Sequence, residues 1–394
     1  MSKVESLVWW EPTLNCDFFP TCAGCLHLDT NYADQLESKK QNLISVLKSS
    51  GISYSKDILV LSAGPFLFRD RVDYTISTDG RLGLYNKSKD QLVDLPSCPL
   101  LTPHLQSLIG QFRKYKWSFQ HKGSVRFRSY KQTWGVWFDL ANLDIKDLLQ
   151  NHTEALQQLS SVAVLEAGQR FKQITYKDSF KLTDPVLNPW FSTFWGQQEV
   201  PLYCSVGHFT QTGALNNRLI VQSLQEWGFA LQGHGMEFGS GLGNLTIPAL
   251  QFADSIWACE VSEPATLALK KTWQQMQKQP DVYKNCTNKQ IQFLVGDFHF
   301  KSTVEKMVLK IQDQPLQWIM ANPARSGLQK FLDPFENEGD DLQPEYFVLI
   351  SCYLDSFITD LHRLHKMGYH LQDLKIVDQF PHTSHFETLA LLKR

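Results

Sequence analysis

The spacing of apolar positions changes character along the chain, and each change predicts a different kind of element. From about Asp34 to Ser49 the stretch is amphipathic and predicts a helix, following an irregular, cysteine-bearing start. From about residue 58 to 200 the pattern is one of short β-like runs: ISTDGRLGLY carries an Asp79-Gly80 hairpin signal, and SVRFRSYKQTWGVWF is aromatic and β-branched. After Pro201 the texture alternates. A helix in LNNRLIVQSLQEW precedes the strand and loop HGMEFGSGLGN, a helix in LTIPALQF and a strand in SIWACE. A helix rich in Lys and Gln comes next, then strands in IQFLVGD, QWIMANPA and the apolar run YFVLI. Strands alternating with helices predict a parallel sheet covered on both faces. No internal repeat or long low-complexity segment interrupts the pattern.

These shifts divide the chain into an N-terminal segment and helix at 1–57, a central β-rich domain at 58–200 and an α/β domain at 201–394. With 43% hydrophobic and 20% charged residues, 394 residues suffice for a sizeable core in more than one domain. The formal net charge of −2 excludes a global field for nucleic acid, so any such surface must be a local patch. No apolar run approaches the roughly 18 residues of a membrane span. The opening MSKVESLVWWEP lacks the apolar core of a signal peptide. A cytoplasmic protein is expected, in which the eight cysteines suit metal binding or catalysis better than disulfides.

The loop EFGSGLGN sets Gly239, Gly241 and Gly243 between a strand and a helix, where a ligand can approach backbone and helix N-terminus. The next strand ends in Glu260, a residue type that binds ribose hydroxyls, and a third ends in Asp297, suited to an adenine amino group. Strand ends of that polarity favour an adenosine-bearing cofactor, and the spacing fits S-adenosylmethionine or NAD equally. Near the N-terminus Cys16, Cys22 and Cys25 lie close together, with Cys98 far downstream. Four thiolates suit zinc or an iron–sulfur cluster; three close cysteines plus a distant one lean toward the cluster. Cys204, Cys259 and Cys286 read as buried core thiols.

Residues 111–138 carry Arg113, Lys114, Lys116, Lys122, Arg126, Arg128 and Lys131, interleaved with aromatic rings. Cations for phosphates and rings for unstacked bases suit single-stranded nucleic acid, although a solvated face above a β core would look the same. Near the C-terminus Cys352 follows a predicted buried strand, and Glu387 follows a Pro-His-Thr turn. A thiolate adding to carbon 6 of uracil, with a base to remove the carbon 5 proton, needs these residue types.

With those residues in view, the chain resembles the S-adenosylmethionine-dependent RNA uracil-5-methyltransferases over nearly its whole length. FTQT at 209–212 is similar to the family's F-x-Q segment, which implies that Gln211 contacts the cofactor. EFGSGLGN resembles D-L-F-C-G-x-G-N, implying cofactor contacts for Gly239 and Asn244, with Glu260 and Asp297 at the next positions. NPARSG at 322–327 resembles the D/N-P-P/A-R-x-G motif and places Asn322 near cofactor and base. Ser351-Cys352 matches the nucleophile motif, and DQFPHTSHFE at 378–387 resembles the ending that makes Glu387 the base.

The cysteine spacing resembles the branch that holds a [4Fe–4S] cluster on Cys16, Cys22, Cys25 and Cys98 and modifies large-subunit ribosomal RNA, here in a compact form without an N-terminal RNA-binding barrel. The implied fold is an iron–sulfur segment, a central β-rich RNA-binding domain and a Rossmann-like methyltransferase domain, in a monomer that takes an unstacked or flipped uridine. The motif departs at Tyr353-Leu354, where Asn-Pro is usual, which bears on geometry around the target base. The rival readings are a transfer-RNA uracil methyltransferase and an RNA-binding iron–sulfur protein without catalysis.

Overall fold

The computed structural model describes residues 16–311, 315–337 and 343–394. The opening residues, on which the signal-peptide reading and part of the 1–57 segment rest, lie outside the described residues. Two eight-stranded sheets organise the chain, joined by the hairpin of Asn188–Trp195 with Gln198–Cys204.

The C-terminal sheet runs in spatial order Leu59–Leu61, His370–Val377, Glu387–Lys393, Tyr346–Ser351, Trp318–Ala321, Gly233–Phe238, Ala253–Glu260, Gln290–Val295. Its strands alternate their side chains between two cores, as a sheet covered on both faces requires. Phe347 and Leu349 join one buried cluster with Leu43, Leu47 and Leu361, whereas Val348 and Ile350 join the other with Ile220 and Leu224. This is the Rossmann-like α/β arrangement expected of the C-terminal part of the chain.

Two features depart from the expected parallel sheet. The last strand, Glu387–Lys393, runs antiparallel to both neighbours, because the chain reverses over 378–386 and re-enters between Tyr346–Ser351 and His370–Val377. At the far edge, Leu59–Leu61 pairs parallel with Lys375–Val377. This stretch, placed by its sequence at the start of the central domain, therefore extends the C-terminal sheet. The helix Tyr32–Ser49 packs beside it through Leu43 and Leu47.

The central sheet, Leu92–Asp94 through Phe180–Thr183, is antiparallel apart from one parallel pair, Thr133–Asp139 with Ala163–Ala167. The Asp79-Gly80 hairpin is present, with Ile76 opposite Leu82 and Gly80 at a φ of 82°. Helices Pro103–Phe112, Asn142–Asn151 and Thr153–Ser160, which short β-like patterning had hidden, cover one face.

The aromatic–basic stretch does not present itself as its composition suggests. Phe112, Trp117 and Phe127 are core residues, and Arg128 is buried. Arg113 forms a bidentate pair with Asp94 at 2.7 and 3.2 Å, and Arg126 reaches Asp73 at 2.5 Å. Lys114, Lys116, Lys122 and Lys131 remain exposed. Strand alternation turns Arg126 and Arg128 inward together, against partners distant in sequence.

One buried ion pair ties the chain's two ends together. Lys39, on the N-terminal helix, donates to Asp378 at 2.6 Å and to the Phe380 carbonyl at 3.0 Å. The second Asp378 oxygen accepts from the Tyr32 hydroxyl at 2.6 Å, and the two charged residues are 4% and 0% exposed. Among the described residues no helix is long and apolar enough to cross a membrane. Lys39→Ala should cost about 3–5 kcal/mol by leaving a buried carboxylate unpaired. Urea unfolding should show this as a lower midpoint with an unchanged slope; an unaltered midpoint would remove the pair from the fold's essential contacts.

Candidate active site

At the carboxyl ends of the parallel strands lies a cavity of about 690 Å³. Open α/β sheets bind ligands there because each strand ends in a loop facing the same crevice. All of the residues singled out for cofactor binding and catalysis line it: Gln211, Gly239, Asn244, Glu260, Asp297, Asn322, Cys352 and Glu387. Strand ends adjacent in space, not in sequence, bring them together.

The glycine loop leaves Phe238 at the end of its strand and turns sharply. Gly239 has a φ of 78°, and a Cβ there would sit 2.7 Å from the Asn322 carbonyl oxygen. Gly243 has a φ of 88°, and its Cβ would meet Leu269 at 2.2 Å. A larger residue at either position would push the loop off its neighbours. Glu260 holds the loop from the next strand, one carboxylate oxygen accepting from the Gly241 amide and the other from Ser262, both at 2.8 Å. Asp297 accepts from the His299 amide at 2.9 Å, closing the third strand end. The side-chain amide of Asn244 forms a reciprocal pair with Asn217 at 2.7 and 2.8 Å. Its hydrogen-bonding capacity thus fixes the helix Ala214–Glu226 against the loop.

Gln211 is placed by the central sheet. Arg71 donates to the Thr210 carbonyl at 2.5 Å, Arg126 to those of Gly207 and His208, and Arg128 to His208 and the Thr210 hydroxyl. This clamp occupies the crossing between domains. Hydrogen bonds from charged donors stabilise by about 1.5–3 kcal/mol each, so the segment that carries Gln211 is rigidly aimed.

Cys352 follows Ser351 at the end of its strand and is partly buried. Burial raises its thiol above the usual value and Glu387 adds to the effect, while Arg325, bonded to it, acts in the opposite direction. Glu387 opens the antiparallel strand opposite Val377, and burial pushes its carboxyl up to about 7. Cys352 and the Glu387 carboxyl therefore share one desolvated end of the cavity, where burial disfavours the charged form of each.

Three further lining residues escaped the sequence reading. Arg325 lay inside the quoted NPARSG motif and its contact with Cys352 was invisible there. Glu237 is buried with its carboxyl raised to about 8 by burial; Thr246 donates to one oxygen at 2.5 Å and the other has no protein partner. His208 is depressed to about 4 by burial, and its Nε2 is unpartnered. No periodicity distinguishes such residues from core positions.

A second, smaller cavity is lined by Cys16, Cys22, Cys25 and Cys98 together with Arg69 and Tyr74. Burial raises the thiols of Cys22, Cys25 and Cys98; Arg69 opposes this at Cys25 and Cys98. The Gly24 amide points at the Cys22 sulfur at 3.4 Å. Among the described residues, no group of three or more His, Cys, Asp or Glu side chains stands at metal-holding geometry. The four cysteines thus converge on one cavity without closing into a ligand set.

Comparison with known proteins agrees with this arrangement. The profile of the tRNA (Uracil-5-)-methyltransferase family matches residues 198–394. An uncharacterised RNA methyltransferase of Bdellovibrio bacteriovorus is 37% identical over 97% of this chain and 96% of its own length. A 23S rRNA (uracil(1939)-C(5))-methyltransferase of Enterobacter sp. is 23% identical over 96% of this chain and 81% of its own. The fold is similar to that of the Pyrococcus abyssi tRNA (uracil-54, C5)-methyltransferase in complex with S-adenosyl-L-homocysteine. That structure aligns with a TM-score of 0.65 at 18% identity, over 95% of this chain and 86% of that one.

The raised carboxyl of Glu387 has a consequence for stability. Its ordinary value is 4.5 and its folded value about 7, so between these pH values the unfolded chain has released a proton that the native state keeps. Stability therefore falls as pH rises through that window and levels off above it. Glu387→Gln, neutral at every pH, should melt near wild type at pH about 4.5 and increasingly above it toward pH 8. Parallel melting curves across the range would exclude the buried, proton-holding carboxyl.

Proposed function

The chain belongs to the tRNA (uracil-5-)-methyltransferase family and is an RNA methyltransferase, and from that premise we propose that it methylates carbon 5 of a uridine in large-subunit ribosomal RNA, with S-adenosylmethionine as the donor. The observation that carries this reading is the meeting of Cys352 and Glu387 in the cavity that also holds the glycine loop, Glu260 and Asp297. Glu260 suits the ribose hydroxyls of an adenosine and Asp297 its base, with Gly239 allowing close approach. Gln211, Asn244 and Asn322 complete the wall. The relatives named as 23S ribosomal RNA enzymes match nearly the whole chain and favour ribosomal RNA.

Arg325 favours the Cys352 thiolate, the thiol proton passing to solvent, and the sulfur adds to carbon 6 of the uracil, pushing the 5,6 electron pair into an enolate that makes carbon 5 nucleophilic. Carbon 5 then takes the methyl group as the donor's carbon–sulfur bond breaks. Glu387 removes the carbon 5 proton, the 5,6 double bond re-forms and the Cys352–carbon 6 bond breaks. The cavity lies below the surface, so the uridine must leave its stack to reach Cys352.

The cysteine cavity fits a [4Fe–4S] cluster in donor type: four sulfurs, a nearby guanidinium and an amide aimed at one sulfur. Cys16, Cys22, Cys25 and Cys98 would hold it. Methyl transfer requires no electron, so the group's contribution there would be structural. Iron and sulfide analysis of anaerobically purified protein should find both, and each should be lost in Cys22→Ser; a protein free of iron would remove the cluster from the reading.

The reaction is tested with ribosomal RNA lacking its own modification and tritiated at uridine carbon 5. Wild type with S-adenosylmethionine should release tritium to water, and Cys352→Ala should release none. Release from transfer RNA alone would reassign the substrate. Silence on both RNAs would favour the non-catalytic RNA-binding reading.

A further inference from the structure

The turn 380–386, which delivers the chain into Glu387, is held from outside its own domain. His382 adopts a φ of 62°, a left-handed conformation unusual for a residue with a side chain. Its carbonyl accepts from the amides of Leu26 and His27 at 2.8 and 3.1 Å, immediately after Cys25. Its Nε2 lies 3.2 Å from the Pro65 carbonyl, which assigns the proton to that nitrogen and leaves Nδ1 as an acceptor.

Gln35 stands where these contacts meet. It is 4% exposed on the N-terminal helix. Its side-chain oxygen accepts from the His382 amide at 3.0 Å. Its nitrogen donates to the His27 and Thr30 carbonyls at 2.8 Å each, with His382 Nδ1 at 3.2 Å sharing a hydrogen. Every polar atom of this amide is therefore spent on joining the segment that leaves the cysteine cavity to the turn before Glu387. A buried side chain with that pattern fixes geometry at both ends, because loss of either partner strands a polar group.

We propose that Gln35 is a positioning residue for proton abstraction: through His382 it sets the approach of Glu387 to carbon 5 while leaving Cys352 and methyl transfer untouched. Cys352 follows the strand Tyr346–Ser351, which pairs with the strand of Glu387 at Ser351 and Thr388, whereas the side-chain hydrogen bonds of Gln35 go to His27, Thr30 and the turn residue His382. The two chemical steps should consequently separate. This inference rests on the reaction proposed above, in which Glu387 acts after methyl transfer. When Glu387 is misplaced, carbon 5 is methylated but keeps its proton, so the Cys352–carbon 6 bond cannot break. A methylated covalent protein–RNA adduct must then accumulate.

The test uses the full chain and unmodified ribosomal RNA tritiated at uridine carbon 5, with S-adenosylmethionine labelled in the methyl group. Rapid-quench measurement follows methyl incorporation, tritium release and adduct stable to denaturing electrophoresis. Misplacement of a reacting group by about 1 Å costs on the order of 100-fold. Gln35→Ala should therefore transfer methyl at close to the wild-type rate, release tritium on the order of 10- to 100-fold more slowly, and accumulate adduct. Gln35→Glu, which keeps the acceptor for the His382 amide, should recover part of the tritium release. Parallel loss of both steps in a folded variant, or slow release without adduct, would overturn the proposal. Should Gln35→Ala not fold, Gln35→Glu is read by the same criteria, and failure of both to fold would assign Gln35 to folding. Glu387→Gln separates the two layers: if it forms no adduct, the assignment of the base fails, and with it the premise.

Discussion

The pairing of Lys39 with Asp378 is the constraint on which the site depends. The chain must bring a helix near its start against a turn near its end, and burial lowers the lysine's affinity for its proton while Asp378 works to restore it. Such a pair adds little net stability over an apolar contact, because desolvation consumes most of the Coulomb gain. Its value is in what it specifies. Lys39 also binds the Phe380 carbonyl, Tyr32 binds Asp378, and the Asp378 amide donates to the Leu61 carbonyl. An edge strand, a helix and the turn before Glu387 are thereby locked into one register.

A comparable division of labour operates at the other entrance to the cavity. The central sheet contributes Arg71, Arg126 and Arg128 to the carbonyls of the segment 207–210. Three buried or half-buried guanidinium groups repel one another, and Asp70 and Asp73 lie among them to compensate. Burial holds Asp70's carboxyl up at about 7 even with Arg128 and Arg71 beside it. The β-rich domain thus participates in building the methyltransferase site, whatever further contact its exposed lysines make. Neither wall of the cavity belongs to the Rossmann-like sheet alone.

The parts legible in the sequence were those with short-range logic. A glycine loop between a strand and a helix, and acids at successive strand ends, follow from local chain direction. Their convergence follows from the topology of a parallel sheet. What stayed hidden depends on distant partners. Leu59–Leu61 is a strand only because Lys375–Val377 offers an edge. Arg126 and Arg128 read as a nucleic-acid surface because composition does not reveal which face of a strand they occupy, nor that the carbonyls they bind lie about 80 positions on. Asn244 is legible as a cofactor-loop residue, but its pairing with Asn217, on the helix Ala214–Glu226, is not. Arg325 stood inside a motif already quoted, yet its role beside Cys352 is a matter of space. The four cysteines were linked by residue type, and their common cavity agrees, whereas their closure around a group is not in the side-chain geometry.

The electrostatics of the Cys352–Glu387 pair impose an order on the proposed reaction. Burial disfavours the charged form of both Cys352 and Glu387, and each anion would disfavour the other. The site therefore accommodates one negative charge far more easily than two. While Glu387 keeps its proton, its opposition to the thiolate disappears and the attraction of Arg325 prevails, which favours nucleophilic addition. Once sulfur is bound to carbon 6 the charge passes to the uracil enolate, and methyl transfer from the cationic donor removes it, so Glu387 can then lose its proton to solvent without facing a neighbouring anion. It is then competent as a base at the stage that needs one. When the Cys352–carbon 6 bond breaks, the returning thiolate meets a carboxyl that has just gained the carbon 5 proton, so a single charge again occupies the site. Two groups whose raised pKa values look unfavourable for catalysis would thus be suited to the proposed reaction by acting in turn.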